Sequence, residues 1–232
     1  MAEKSIVSNT KLDALAQAIA TKGGAALPMT IDEMTAAVGN ISPGISLTDF
    51  IDDTRTGTIT ISDNDATTVR KNFWRDGGRL EAISLPAVKI VKENAFYYAT
   101  HINSVYLPAC EEIKNNGFYG CDALTSITLP SIKYLAYDVF DYCKHLVTAD
   151  LGPNLQQIQG RVFQYCTGLT TVIIRNTSAV VTLGSSVFYG TPIESGTGFI
   201  YVPDTLLSQY RSATNWSAVA AAIKPLSELP TT

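Results

Sequence analysis

An α/β repeat is the fold class that the sequence predicts: a solenoid with a single β-sheet, a helical N-terminal module and a helical C-terminal cap. Three observations predict it. Phenylalanines recur at Phe96, Phe118, Phe140, Phe163 and Phe188, separated by 22, 22, 23 and 25 residues. Apolar columns keep step with them. An alternating apolar segment, usually stopped by proline, opens each unit.

The period is that of a leucine-rich repeat, so the solenoid is expected to be of that kind. Five residues before each Phe stand Val91, Ile113, Leu135, Ile158 and Leu183, and eight before stand Val88, Cys110, Ile132, Leu155 and Val180. The residue just before reads Ala95, Gly117, Val139, Val162 and Val187. The opening segments run Leu80-x-x-Ile83-x-Leu85, Ile102-x-x-Val105-x-Leu107, Leu124-x-x-Ile127-x-Leu129, Leu146-x-x-Ala149-x-Leu151 and Leu169-x-x-Val172-x-Ile174. Such alternation reads as a short, half-buried strand. Pro86, Pro108, Pro130 and, one residue later, Pro153 end these strands, because proline donates no ladder hydrogen bond.

The elements follow in chain order. Residues 1–40 read as a helical docking and oligomerisation module. Thr10 with Asp13, then Thr30 with Glu33, cap two short helices with apolar faces Leu12/Leu15/Ile19 and Ile31/Met34/Val38. Helices this short need a partner. Residues 41–57 read as a linker, with Pro43, Gly44 and Gly57. Residues 58–203 are expected to form the solenoid, about six coils plus a closing strand in the run Phe199-Ile200-Tyr201-Val202-Pro203. Its first coil is degenerate: Trp74 stands in the Phe column, Val69 in the next, and Ile61 matches Ile83. Residues 204–232 form the cap, where Leu206, Leu207 and Tyr210 share a face and Trp216 seals the last coil.

Composition narrows the function. Hydrophobic residues make up 46% of the chain, enough for a core and too many for wholesale disorder. Lys+Arg 17 against Asp+Glu 21 gives a net charge of -4 with no basic block, so nucleic-acid binding is not expected. No apolar run is long enough for membrane insertion. The start, Met1-Ala2-Glu3-Lys4-Ser5, leads into no apolar h-region, so no secretory signal is expected.

Chemistry is sparse. Cys121, Cys143 and Cys166 lie three residues after the repeat Phe, in a column continued by Ala99 and Thr191, which reads as a ladder of reduced core thiols. Zinc would want closely paired ligands, and there are none. His101 and His145 hold the same repeat position two coils apart, too far to share a metal. Glu111-Glu112 reads as a solvated loop pair. No catalytic group, metal or cofactor is expected, and the chain is read as a non-enzyme. The outward positions of the strands are Ala82/Ser84, Ser104/Tyr106, Ser126/Thr128, Thr148/Asp150 and Thr171/Ile173. A flat, hydroxyl-lined sheet suits a glycan or a protein, with Tyr106, Thr128 and Asp150 as the candidate ligand-binding residues. A tyrosine set after the Phe column (Tyr97, Tyr98, Tyr119, Tyr142, Tyr165 and Tyr189) reads as packing along the coil edge.

The unit L-x-x-I-x-L-P … I-x-x-x-A-F-x-x-C resembles the BspA-like leucine-rich repeats of bacterial surface proteins over about 58–193. That resemblance implies an adhesive or scaffolding solenoid. Leu12-x-x-Leu15-Ala16-x-x-Ile19 with Met29-Thr30-Ile31-Asp32-Glu33-Met34 resembles a leader on tail-associated proteins of phages and prophages of Gram-positive bacteria. Ile200-Tyr201-Val202-Pro203-Asp204, Tyr210, Asn215-Trp216 and Ile223-Lys224-Pro225-Leu226 resemble a closing module of similar phage proteins. Together these imply a virion tail or baseplate protein contributing to host attachment. Its expected partners are a host cell-surface glycan or protein and other tail proteins. A homo-oligomer is expected, as a trimer. The alternatives are a bacterial cell-surface or secreted adhesin and a purely structural virion component.

Overall fold

The computed structural model describes residues 56–60, 67–69, 71–74 and 79–230, with Thr56–Thr60 described by backbone alone. The expected helical module, the linker up to its last two residues, and Ile61 lie outside the described residues.

Each coil contributes two strands. The longer ones are β1 (Thr56–Thr60), β3 (Arg79–Ser84), β5 (Ser104–Tyr106), β7 (Ser126–Leu129), β9 (Thr148–Leu151), β11 (Thr171–Ile174) and β13 (Phe199–Val202). Between them fall β2 (Thr68–Val69), β4 (Ile90–Val91), β6 (Glu112–Ile113), β8 (Tyr134–Leu135), β10 (Gln157–Ile158) and β12 (Thr182–Leu183). All pairings are parallel, and residues one repeat apart stand side by side, as in Ile90↔Glu112↔Tyr134↔Gln157↔Thr182. The expected single sheet is therefore corrected. The short strands form one six-stranded sheet, and the longer strands form a second face in two pieces, β1-β3-β5 and β7-β9-β11-β13 with a final strand. A two-residue strand is too brief to show alternation, so its column read only as apolar.

The core lies between the two faces. Phe96, Phe118, Phe140 and Phe163 have no exposed surface, and each ring stacks on the next at 4.9, 5.7 and 5.6 Å with interplanar angles of 5–16°. Burying one such side chain contributes about 1.5–3 kcal/mol, which no single coil could gain alone. The expected columns are buried apart from Val105, which is half-buried, and with two further corrections. Val181 fills the last place in the Val88/Cys110 column in place of Val180, standing two residues before Leu183 where the other coils have three before the matching position. In the first coil Ile59 pairs with Ile83, because the register shifts between Gly57 and Thr58.

The cysteine column is free of disulfides and buried. Each thiol donates to the Phe carbonyl one coil back: Cys121 to Phe96 (3.2 Å), Cys143 to Phe118 (3.1 Å) and Cys166 to Phe140 (3.0 Å). Burial pushes all three thiols well above the ordinary range, and Cys110 up to about 12, so none is a ready nucleophile.

The C-terminal end is mixed, not purely helical. It holds a 3-10 turn at Asp204–Leu206, one six-residue helix α1 (Leu207–Ser212), a 3-10 stretch at Trp216–Ala222, strand β14 (Ile223–Pro225), and a last turn at Leu226–Glu228. β14 adds to β13 in parallel, and Pro225 ends it. Three side chains replace the missing next coil on the short-strand side. The Tyr210 hydroxyl accepts from Val181 N–H, Trp216 Nε1 donates to Val181 O at 2.7 Å, and Asn215 Nδ2 donates to Leu183 O at 2.7 Å. The indole also closes the ring column, 6.2 Å from Phe188. The seal expected of Trp216 is there.

Candidate ligand-binding face

Parallel register aligns the outward side chains of the longer strands in two rows. Ala82 faces Ser104, and Ser84 faces Tyr106. Farther on, Ser126 faces Thr148 and then Thr171, while Thr128 faces Asp150 and then Ile173. Between β5 and β7 no hydrogen-bonded register exists, although the flanking coils touch. Ala123 N–H donates to Thr100 O at 3.1 Å and Ser131 Oγ to Pro108 O at 2.7 Å, so the gap is clamped at both ends.

A cleft of about 290 Å³ opens at that gap. Its walls carry the hydroxyls of Ser104, Tyr106, Ser126 and Thr128, the Asn103 amide, and the rings of Pro108 and Pro130. Two of the three predicted residues, Tyr106 and Thr128, thus line one cleft. Tyr106 is 57% exposed, a rigid amphipathic ring on a strand anchored by the Leu85 N–H bond to its own carbonyl. No ionisable side chain other than the phenol lines the cleft, so it offers donors and acceptors without a formal charge at neutral pH.

Asp150 does not join them. Arg175 in the next coil grips it with two parallel bonds of 2.7 Å, from Nε to Oδ1 and from Nη2 to Oδ2. The same hydrogen bonding raises the guanidinium above its usual range. The free charge that the sequence reading placed here is neutralised. Ile173, expected to face solvent, is 7% exposed, and its neighbour Tyr201 is 5%. Beyond them Lys224 Nζ sits 3.9 Å above the Phe199 ring centroid.

The remaining candidates are structural. Glu111 is paired with Lys133 at 2.6 Å, which holds its carboxyl below the usual range, and Glu112 is in strand β6 beside Lys114. The solvated loop pair is corrected accordingly. His145 Nδ1 lies 2.8 Å from the Asp122 carbonyl, and His101 meets the Thr100 hydroxyl. Among the described residues no cluster of three or more His, Cys, Asp or Glu could hold a metal ion.

Residues 53–203 match the BspA type leucine-rich repeat region in six copies. A leucine-rich repeat protein of T. pallidum is similar in structure, with a TM-score of 0.52 and 22% identity over 66% of this chain and 81% of that one. A leucine-rich repeat protein of Bacteroides ovatus gives a TM-score of 0.50 and 20% identity over 64% of this chain and 43% of its own. Both likenesses concern the fold. No curated protein sequence matches the chain.

Proposed function

The chain belongs to the BspA-type leucine-rich repeat family, and from that premise we propose that it is a non-enzymatic attachment protein whose contact is the cleft between β5 and β7. One observation carries the reading: the single interruption of the longer-strand face among the described residues coincides with the cleft and with Tyr106, the most exposed of its large apolar side chains. A rigid site avoids the ordering cost that a loop would incur on binding. The setting we favour is a phage or prophage tail or baseplate, with residues 1–40 docking the chain to the particle as an oligomer. The resemblance of the end segments to phage modules supports it. The second reading, a bacterial surface adhesin, is favoured by the family itself.

The test uses the full chain, fluorescently labelled, on Gram-positive cells that it decorates. Tyr106→Ala is expected to reduce cell binding at least tenfold while the melting temperature moves by no more than a degree or so, since truncating a central aromatic anchor removes contact area without touching the core. Undiminished binding would place the contact elsewhere. Immunogold label at the tail tip of purified virions supports the phage setting, and label confined to bacterial cells supports the adhesin.

A further inference from the structure

The turn that carries the core Phe in each coil has a second face, independent of the cleft. Two residues before the Phe the backbone is left-handed at Asn94, Asn116, Asp138, Arg161 and Ser186, with φ from 55° to 60°. Two residues after it the backbone is left-handed again, at Tyr98 (53°), Gly120 (68°), Tyr142 (61°), Tyr165 (53°) and Gly190 (73°). Glycine or asparagine fits such a site cheaply, whereas an aromatic residue there is strained. Where glycine takes the site, the residue before it is tyrosine: Phe118-Tyr119-Gly120 and Phe188-Tyr189-Gly190. Every coil from Phe96 onward therefore presents at least one tyrosine ring at this edge, by either route.

The rings are held, not loose. A Cβ at Gly120 would stand 2.7 Å from the Tyr98 ring, and one at Gly190 would stand 2.8 Å from the Tyr165 ring, so each glycine makes room for the ring one coil back. Successive centroids lie 5.3 Å apart from Tyr98 to Tyr119, then 5.6, 4.8 and 5.5 Å through Tyr142 and Tyr165 to Tyr189. Their interplanar angles of 42–77° make this row tilted or edge-on, unlike the near-parallel phenylalanines beneath, while Tyr97 stacks flat on Tyr119 at 4.9 Å. Tyr98, Tyr142 and Tyr189 are 42%, 36% and 49% exposed. Beside them runs a polar row in which Asn116 donates to Asn94 at 3.0 Å and Arg161 grips Asp138 with bonds of 2.6 and 2.8 Å.

We infer that this edge binds a linear, neutral, β-1,4-linked glycan laid along the solenoid, about one sugar ring per coil. Aromatic faces, phenol hydroxyls and amides are the groups that grip a sugar ring, and the nearby Arg161 is already neutralised by Asp138, which disfavours an ionic ligand. Spacing selects the polymer. An extended peptide advances about 3.3 Å per residue and falls out of step with the coils. A flat β-1,4-linked chain advances by close to one coil per sugar and meets an equivalent tyrosine at each step. Each added sugar then binds at the high effective concentration set by its neighbour.

Calorimetric titration of the full chain with cello- and chito-oligosaccharides of two to six residues tests this. Affinity for one or both series is expected to rise at least tenfold from the dimer to the pentamer. Maltohexaose, whose α-1,4 linkage curves the chain, is expected to bind at least tenfold more weakly than the β-linked hexamer. The double variant Tyr142→Asn with Tyr165→Asn keeps residues that accept the left-handed backbone. It should keep its melting temperature and lose at least tenfold in affinity for the hexamer. Tyr106→Ala should bind the hexamer as the unaltered chain does. The proposal is overturned by no binding of either β-linked series, by affinity independent of length, by equal binding of maltohexaose, or by an undiminished double variant. Loss of hexamer binding in Tyr106→Ala alone would move the sugar to the cleft and equally overturn it.

Discussion

The two halves of the longer-strand face use the same repeat positions to opposite ends. In the first half, Ser104, Tyr106, Ser126 and Thr128 border an interrupted ladder and an open, uncharged cleft. In the second half the ladder is continuous to β14, and the equivalent positions hold the Asp150–Arg175 fork, buried Ile173 and Tyr201, and Lys224 over Phe199. The repeat supplies a surface, and what each coil places on it decides whether that surface closes the molecule or stays free for a ligand.

The sharpest way to break the comparison is at the sealed end. Trp216→Ala removes a side chain that is 1% exposed and the indole bond to Val181 O. It is expected to cost about 3–5 kcal/mol. That corresponds to a fall of roughly 10 °C in a thermal melt, with ligand binding at the open half retained at low temperature. A melting temperature within two degrees of the unaltered chain would show that the last coil closes without its cap.

The coil between the halves adds a pH dependence. Asp141 is 5% exposed, its Oδ1 has no hydrogen-bond partner, and burial, aided by the nearby Asp138 charge, pushes its carboxyl up to about 7. Unfolded, it would release its proton near 4. The folded chain keeps the proton longer, so the stability this group contributes at low pH is lost as pH rises from about 4 through 7. Asp141→Asn, which cannot ionise, should match the unaltered chain at pH 4 and exceed it by a few degrees in melting temperature at pH 8. A difference that stays flat across that window would refute the assignment.

A smaller effect belongs to the ion pair. Asp150→Lys sets a second cation against Arg175 and should cost about 1 kcal/mol, since the pair is partly exposed. The expected shift is about 2–4 °C. If Asp150→Asn instead leaves the melt unchanged and weakens cell binding, the carboxylate is an anchor, and the division into open and sealed halves fails.

A repeat is legible because each column is sampled several times. The Phe, Cys and Val91/Ile113/Leu135 columns were plain, and so was the outward position of Tyr106. What escaped sits where the period slips. Arg175 is the exception: it stands two residues beyond Ile173, the register partner of Asp150, so the pair is diagonal and falls in no single column. Val181 displaced Val180 because one residue fewer separates that column from Leu183, and the shift at Gly57/Thr58 moved Ile59 opposite Ile83. The short-strand sheet escaped because two residues cannot display a period of two. The break between β5 and β7 has only a faint trace in the residues, a three-residue β5 with proline soon after each strand. Backbone splaying of that kind is a property of packed coils, not of any one segment.

The seal at the last coil consults very little of what precedes it. Tyr210, Asn215 and Trp216 touch main-chain atoms of residues 181 and 183, and the indole meets one phenylalanine ring. Any terminal coil with those groups in place would satisfy it equally. Within the stack, Phe96 N–H reaches Gly117 O as Phe118 N–H reaches Val139 O, so an internal coil is exchangeable for its neighbour. Duplication or excision of a 22-residue stretch at the same phase keeps these backbone bonds in step from coil to coil. Recombination between copies can therefore lengthen or shorten this chain without redesigning its end, and reach becomes a trait that varies in whole steps.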